Sequence, residues 1–100
     1  MRTTILSLVV LLAPLAAHAG EGSEDICAAY AEYAETAESA HQYGVALSTS
    51  LESAGGNSSL RAIVIAAYSV PRLTSDWGQK RAISDFRDSV HLACLKQKGR

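Results

Sequence analysis

The chain has 100 residues, 48% of them hydrophobic and 6% aromatic, with a formal net charge of −1 at pH 7. This length allows one small domain, and Ala-rich segments with few β-branched residues favour helices over strands. The bases are too scattered to form a stripe and few aromatic residues lie among them, so we expect no nucleic-acid partner.

The first nineteen residues have the pattern of a cleaved signal peptide. Arg2 provides the positive start, Ile5–Leu12 the apolar middle, and Ala17–Ala19 the small-residue cleavage site. The alternative is a membrane anchor, but the apolar stretch is about 15 residues long and contains Pro14, whereas a spanning helix needs roughly 20 residues. We therefore expect a single periplasmic or secreted domain of residues 20–100, with no membrane span after cleavage.

Two cysteines, Cys27 and Cys94, lie near the ends of this domain. In an oxidising compartment such a pair most simply forms a disulfide. The sequence contains no Cys-x-x-Cys redox motif, and two isolated thiols cannot complete a zinc site. In the chain-entropy model a cross-link over this span contributes roughly 4 kcal/mol. That is comparable with the roughly 3–5 kcal/mol that a core of this size supplies.

The first predicted helix begins after Ser23 and runs to about Tyr43, where Gly44 can take the left-handed conformation that ends a helix. Glu35 is predicted to point to solvent, and Glu38 to lie at the flank. The inner face consists of residues at helical spacing: Cys27, Tyr30, Ala34, Ala37 and His41.

Two short helices are predicted next. The sequence Thr49-Ser50-Leu51-Glu52 matches a capping box and predicts a helix start, with Gly55-Gly56 as the end. Asn57 or Ser58 is predicted to cap a third helix, from Ser59 to about Ser69. Its centre, residues 62–68, is apolar all round and is therefore expected to be the most buried element, although the same run is also compatible with a β-strand.

Pro71 ends the third helix, and Thr74 or Ser75 is predicted to cap a fourth that extends to about Gln97. Its inner face recurs at spacings of three and four: Ile83, Phe86, Val90, Ala93 and Cys94. The expected fold is an all-α, compact three- to four-helix bundle.

The disulfide predicts that the first and last helices are antiparallel, because Cys27 is early in one and Cys94 late in the other. Pairing residues outward from the bond places Ala34 level with Arg87. We therefore expect Arg87 within ion-pair reach of Glu35 or Glu38. The same pairing neutralises the first half of the domain, which has seven acids and no Lys or Arg, against the second, which has eight bases and three acids.

The sequence predicts no catalytic site, metal site or cofactor. His41 and His91 are expected about 16 Å apart at 1.5 Å per residue, too far to share a metal ion. The serines lack the spacing of a nucleophile with a base, and Gly55-Gly56 lacks the Lys and glycines of a phosphate loop.

The outward side of the last helix is the best candidate for a partner surface. Trp77, Arg81, Leu92 and Leu95 fall roughly opposite the inner face, and Trp and Arg are the residue types that most often anchor protein interfaces. The alternative, favoured by the small size of the bundle, is that the second helix or the Pro71–Leu73 loop covers these side chains.

Several local sequences are similar to those of a group of short exported two-cysteine helical proteins of proteobacteria and their phages. The resemblance is carried by Ile26-Cys27, His41-Gln42-Tyr43-Gly44-Val45, Ala67-Tyr68-Ser69-Val70-Pro71-Arg72, Phe86-Arg87 and Cys94. It implies export and a helical fold. It implies no reaction, because the group has no established activity.

We expect a non-catalytic protein-binding or inhibitory module acting on an unidentified protein partner in the cell envelope. The first alternative is an acid-responsive, chaperone-like envelope stress factor, because the acidic half would lose its charge on acidification. The second is a carrier of a small ligand, held near Tyr30, His41 and Tyr68. The sequence leaves the oligomeric state open.

Overall fold

The computed structural model describes residues 24–99, so the predicted signal peptide and the cap at Ser23 lie outside the described residues. This part of the chain contains helices and no strand. The four helices are α1 (residues 24–42), α2 (Leu47–Ala54), α3 (Ser58–Ala67) and α4 (Asp76–Lys98). The prediction of an all-α bundle is confirmed.

Helices α1 and α4 pack closely and run antiparallel. The Cys27–Cys94 disulfide joins them, with the two Cα atoms 5.5 Å apart. Further along, Arg87 Nη1 lies 3.4 Å from Glu35 Oε1, and Gln79 Nε2 donates to the carbonyl of Gln42 at 3.4 Å. These contacts agree within one residue with the register predicted from the disulfide.

Helix α1 contacts α4 through the disulfide and the Arg87–Glu35 ion pair, and it shares a core with α2 and α3. The buried core on the α2–α3 side consists of small and medium side chains: Ala37, Ala54, Val64 and Ala67. Half-buried side chains, among them Tyr33 and Phe86, surround it. Because alanine has only a methyl side chain, three helices can approach α1 closely enough to bury it on two sides.

The predicted caps are correct for α3 and α4 and wrong for α2. The Asn57 side chain accepts from the Leu60 amide at 3.0 Å, and Ser75 Oγ accepts from the Gly78 amide at 3.0 Å. Helix α2 instead starts at Leu47 after Ala46, which provides no side-chain cap. The predicted capping box fails because the amides of Thr49 and Ser50 already donate to the carbonyl of Ala46.

The prediction that α3 is the most buried element is wrong. Only Val64 and Ala67 of this helix are buried, and Ile65 is 55% exposed. Apolar composition on every side predicts burial only if neighbours cover every side, and a short helix at the edge of a small domain is covered on its inner side alone. The helical assignment of this run is correct.

Removal of the disulfide tests the stability that it contributes. We expect the Cys27→Ala, Cys94→Ala double variant to lose about 4 kcal/mol of unfolding free energy, because the unfolded chain regains the entropy of the opened loop. Urea unfolding followed by far-UV circular dichroism measures this. Wild-type protein held under reductant is the control and should match the variant. An unchanged unfolding midpoint would show that the cross-link contributes nothing.

Candidate functional site

A groove of about 440 Å³ lies between the loop of residues 70–73 and the first half of α4. Apolar side chains form most of its surface. The lining residues, together called the α4 groove below, are Val70, Leu73, Trp77, Gly78, Arg81, Ala82, Asp85, Phe86 and Ser89. A concave, apolar surface with a few polar groups at its edge is the usual form of a binding site.

Trp77 is the most prominent side chain of the α4 groove and is 72% exposed. The guanidinium carbon of Arg81 lies 5.7 Å from the centre of the Trp77 ring, a cation–π distance, and Arg81 Nε lies 3.3 Å from Asp85 Oδ2. The alternative that a loop or helix covers Trp77 is therefore wrong. Of the neighbouring loop, Val70 and Leu73 line the same groove and form its wall.

Leu92 and Leu95, the other two residues of the predicted partner surface, do not line the α4 groove. Both are exposed, Leu92 at 54%. Leu92 follows Trp77 by fifteen residues on the same helix, which separates their Cα atoms by about 22 Å at 1.5 Å per residue. The structure thus divides the predicted stripe into a groove that contains Trp77 and Arg81 and a separate exposed patch near the end of α4.

The side chain of Gln42, at the end of α1, holds the loop that forms the groove wall. Its Nε2 donates to Glu38 Oε2 at 2.7 Å and to the carbonyl of Pro71 at 2.9 Å. Its Oε1 accepts from the amide of Leu73 at 2.9 Å. Gln42 is fully buried, so the loop supplies partners that the amide would otherwise take from water.

His41 and Tyr68 secure the start of the same loop. His41 Nε2 donates to the carbonyl of Val70 at 2.7 Å, and its ring lies 4.5 Å from that of Tyr68. The Tyr68 hydroxyl donates to the carbonyl of Val45 at 2.7 Å and shares a hydrogen bond with Ser50. The loop is therefore fixed through both α1 and the start of α2.

Gly78 has no side chain, and this allows Leu73, at the end of the loop, to approach α4 closely. A Cβ atom added at Gly78 would lie 2.8 Å from Ser75 Oγ and 3.2 Å from Leu73 Cδ1. Any larger side chain would displace the helix cap, the groove wall or both. Gln79 completes this attachment, because its Nε2 donates to the carbonyl of Leu73 at 2.9 Å.

The position of Glu38 corrects the prediction that it lies at the flank of α1. Its side chain is fully buried, and its Oε1 has no hydrogen-bond partner within the described residues. Arg87 forms ion pairs with Glu35 and with Asp88, whereas Glu38 accepts a hydrogen bond from Gln42. The prediction missed this because it treated α1 as covered by a single neighbour.

Burial raises the pKa of the Glu38 carboxyl above its ordinary value of 4.5. The hydrogen bond from Gln42 and the charge of His41 both lower that pKa, but burial has the larger effect. The carboxyl therefore binds its proton more tightly in the folded protein than in the unfolded chain.

The structure brings together only two of the three residues proposed for a small-ligand pocket. The rings of His41 and Tyr68 are in contact and tilted relative to each other, whereas Tyr30 lines a separate depression beside the disulfide with Ser59, Ile63 and Lys98. Among residues 24–99 no three His, Cys, Asp or Glu side chains are grouped so that they could bind a metal ion. None of the helices in that range is long and apolar enough to span a membrane.

No protein-family model matches the chain, and neither a curated protein nor a solved structure is significantly similar to it. The resemblance to short exported two-cysteine proteins therefore stays a prediction.

Gln42 and Glu38 are the candidate-site residues that the predicted inner face omitted. The signal that could have found them is the spacing of Cys27, Ala31, Ala34, Glu38 and Gln42, which recurs at four and three residues. All five are buried. Hydrophobicity alone misses this stripe because two of its members are polar.

Replacement of Gln42 tests its role in holding the loop. We expect Gln42→Ala to lower the unfolding free energy by about 1–3 kcal/mol, because partners of the amide lose their hydrogen bonds. Gln97→Ala, an exposed glutamine on α4, is the matched control and should stay within about 0.5 kcal/mol of wild type. Equal effects of the two substitutions in urea unfolding would contradict the role assigned to Gln42.

The buried carboxyl predicts a pH dependence of stability. Because the folded-state pKa of Glu38 is raised, its contribution is fully present below about pH 4.5 and is lost as the pH rises through the folded-state pKa. We therefore expect Glu38→Gln to gain stability relative to wild type between about pH 4 and pH 7. Glu35→Gln, an exposed acid on the same helix, is the control. Parallel pH profiles of wild type and Glu38→Gln would refute the prediction.

Proposed function

We propose that this chain is a non-catalytic binding protein that takes an apolar side chain of a protein partner into the α4 groove. The observation that carries the proposal is Trp77, a large aromatic side chain left 72% exposed at the edge of an apolar groove. An exposed tryptophan beside a concave apolar surface is typical of a protein-binding hot spot.

The charges around the groove favour a partner segment with an acidic residue next to its apolar anchor. Arg81 and Asp85, the two charged residues that line the groove, pair with each other, and Asp76, next to Trp77 in the chain, pairs with Lys80. Arg72 does not line the groove but directly precedes Leu73, which does; it is in no ion pair within residues 24–99, and its one hydrogen bond there is a 3.5 Å contact to the Gln42 carbonyl. A carboxylate of the partner would supply the missing charge.

The proposed place of action is the periplasm or the exterior of the cell. The disulfide is compatible with such an oxidising compartment, and the sequence of the first nineteen residues has the signal-peptide pattern. The chain would act there after removal of that segment.

The acid-responsive chaperone is the weaker candidate, because Glu38 opposes acid unfolding. Neutralising this buried carboxyl on acidification stabilises the fold, whereas a chaperone switched on by acid must expose apolar surface at low pH.

Three variants test the proposed groove. Purified wild type is incubated with extract of the cell envelope, and bound proteins are recovered and quantified beside Trp77→Ala, Arg72→Gln and Leu92→Ala. We expect a protein retained by wild type and by Leu92→Ala, bound at least about tenfold more weakly by Trp77→Ala. Arg72→Gln should slow association.

Leu92→Ala is the matched control, because it removes an exposed apolar side chain outside the groove. Retention of the same proteins by wild type and Trp77→Ala would contradict the proposal. Loss of the partner from Leu92→Ala alone would assign binding to the patch at the end of α4 instead.

A further inference from the structure

The loop that forms the groove wall depends on Gln42, and Gln42 depends in turn on a buried carboxyl. Both hydrogens of Gln42 Nε2 are donated, one to Glu38 and one to Pro71, while Oε1 accepts from Leu73. We propose that Glu38 is a proton-sensitive latch: a neutral Glu38 keeps residues 70–73 closed against α1, and its ionisation loosens that loop.

The orientation of the Gln42 amide leaves no alternative set of partners. A 180° rotation would turn Oε1 toward the Pro71 carbonyl and Nε2 toward the Leu73 amide. One contact would then join two acceptors and the other two donors. The closed loop therefore requires an acceptor at Glu38 Oε2, which both the neutral and the ionised carboxyl supply, so the preference for the neutral form comes from the other oxygen, Oε1. Glu38 acts on the loop through Gln42, as a positioning residue.

The second oxygen of Glu38 explains why ionisation favours opening. Oε1 is buried and has no partner in the described part of the chain, so a negative charge shared by the two oxygens is only half solvated by hydrogen bonds. Burying a charge without such partners is strongly unfavourable. Glu38 is bonded to Gln42, and Gln42 to Pro71 and Leu73, so release of the loop would free Gln42 to move and let water reach the carboxylate, whereas a neutral carboxyl would gain much less from exposure.

Thermodynamic linkage gives the same direction. Burial raises the pKa of Glu38 in the closed arrangement, so proton binding favours closure and proton release favours opening. One proton is involved. The ratio of closed to open molecules therefore falls by up to about tenfold per pH unit as the carboxyl ionises.

The ionisable groups around Glu38 are mostly engaged elsewhere. On α1 the nearest is His41, which donates to Val70, and Tyr68 at the end of α3 stacks on it. On the loop it is Arg72, which contacts the Gln42 carbonyl. The α4 groups within about a turn of the same level are in ion pairs: Lys80, Arg81, Asp85 and Arg87.

The latch has a direct consequence for the groove, because Val70 and Leu73 are part of its wall. Proton release from Glu38 would open that wall and weaken the binding of an occupant in the groove. This consequence depends on the proposed function, but the latch itself is tested in the free protein, so the two ideas can fail separately.

Amide hydrogen exchange at Leu73 tests the latch. Its rate, divided by the rate for an unstructured peptide at the same pH, is measured by NMR between about pH 4 and pH 8 for wild type, Glu38→Gln and Glu35→Gln. In the same samples the fluorescence of Trp77, the chain's single tryptophan, reports the groove. We expect protection of Leu73 to fall by up to about tenfold per pH unit in wild type and Glu35→Gln, and to stay constant in Glu38→Gln.

A wild-type profile that is flat, or one that persists in Glu38→Gln, would overturn the latch; the second result would assign the effect to another group such as His41. If Glu38→Gln does not fold, the carboxyl carbon of Glu38 is titrated in wild type by ¹³C NMR. A shared midpoint for that carbon and the Leu73 amide supports the latch, and a Glu38 titration that leaves Leu73 unchanged overturns it.

Discussion

The side-chain amide of Gln42 is the interaction on which the candidate site depends. It is fully buried at the end of α1 and binds the loop of residues 70–73 through the Pro71 carbonyl and the Leu73 amide. The disulfide fixes α1 against α4 near the other end of the pair. Because the helices are antiparallel, these two attachments set the position of α4 relative to the loop. The α4 groove is the space between α4 and that loop.

Much of the fold could be predicted because its determinants are local or covalent. Caps at Asn57 and Ser75 mark the starts of α3 and α4, and the two cysteines set the antiparallel register. The start of α2 could not be predicted, because the Ala46 carbonyl replaces the side-chain cap that the sequence suggests. Coverage of α3 was also beyond prediction, since it depends on how many neighbours surround a helix and not on its composition.

The candidate site was predictable only in part. Trp77 and Arg81 were found because large exposed residues at helical spacing identify an outward face. The groove itself could not be predicted, because Leu73 forms its wall only through two contacts. One is with Gln42, which is distant in sequence, and the other is a close approach to Gly78, which has no side chain. Glu38 was placed at the flank by its angle on a helix with one assumed inner face, whereas α1 contacts α4 and also shares a core with α2 and α3, and the Glu38 side chain is fully buried.

A direct measurement of the Gln42 contacts tests the central claim, that the end of α1 holds the groove wall. In a ¹⁵N-edited NOE spectrum of the oxidised protein, the side-chain amide protons of Gln42 should show cross-peaks to backbone protons of residues 71–73. They should also have chemical shifts away from those of a solvated glutamine. Solvated shifts with no cross-peak to that loop would contradict the claim, because the groove would then lack the contact that forms its wall.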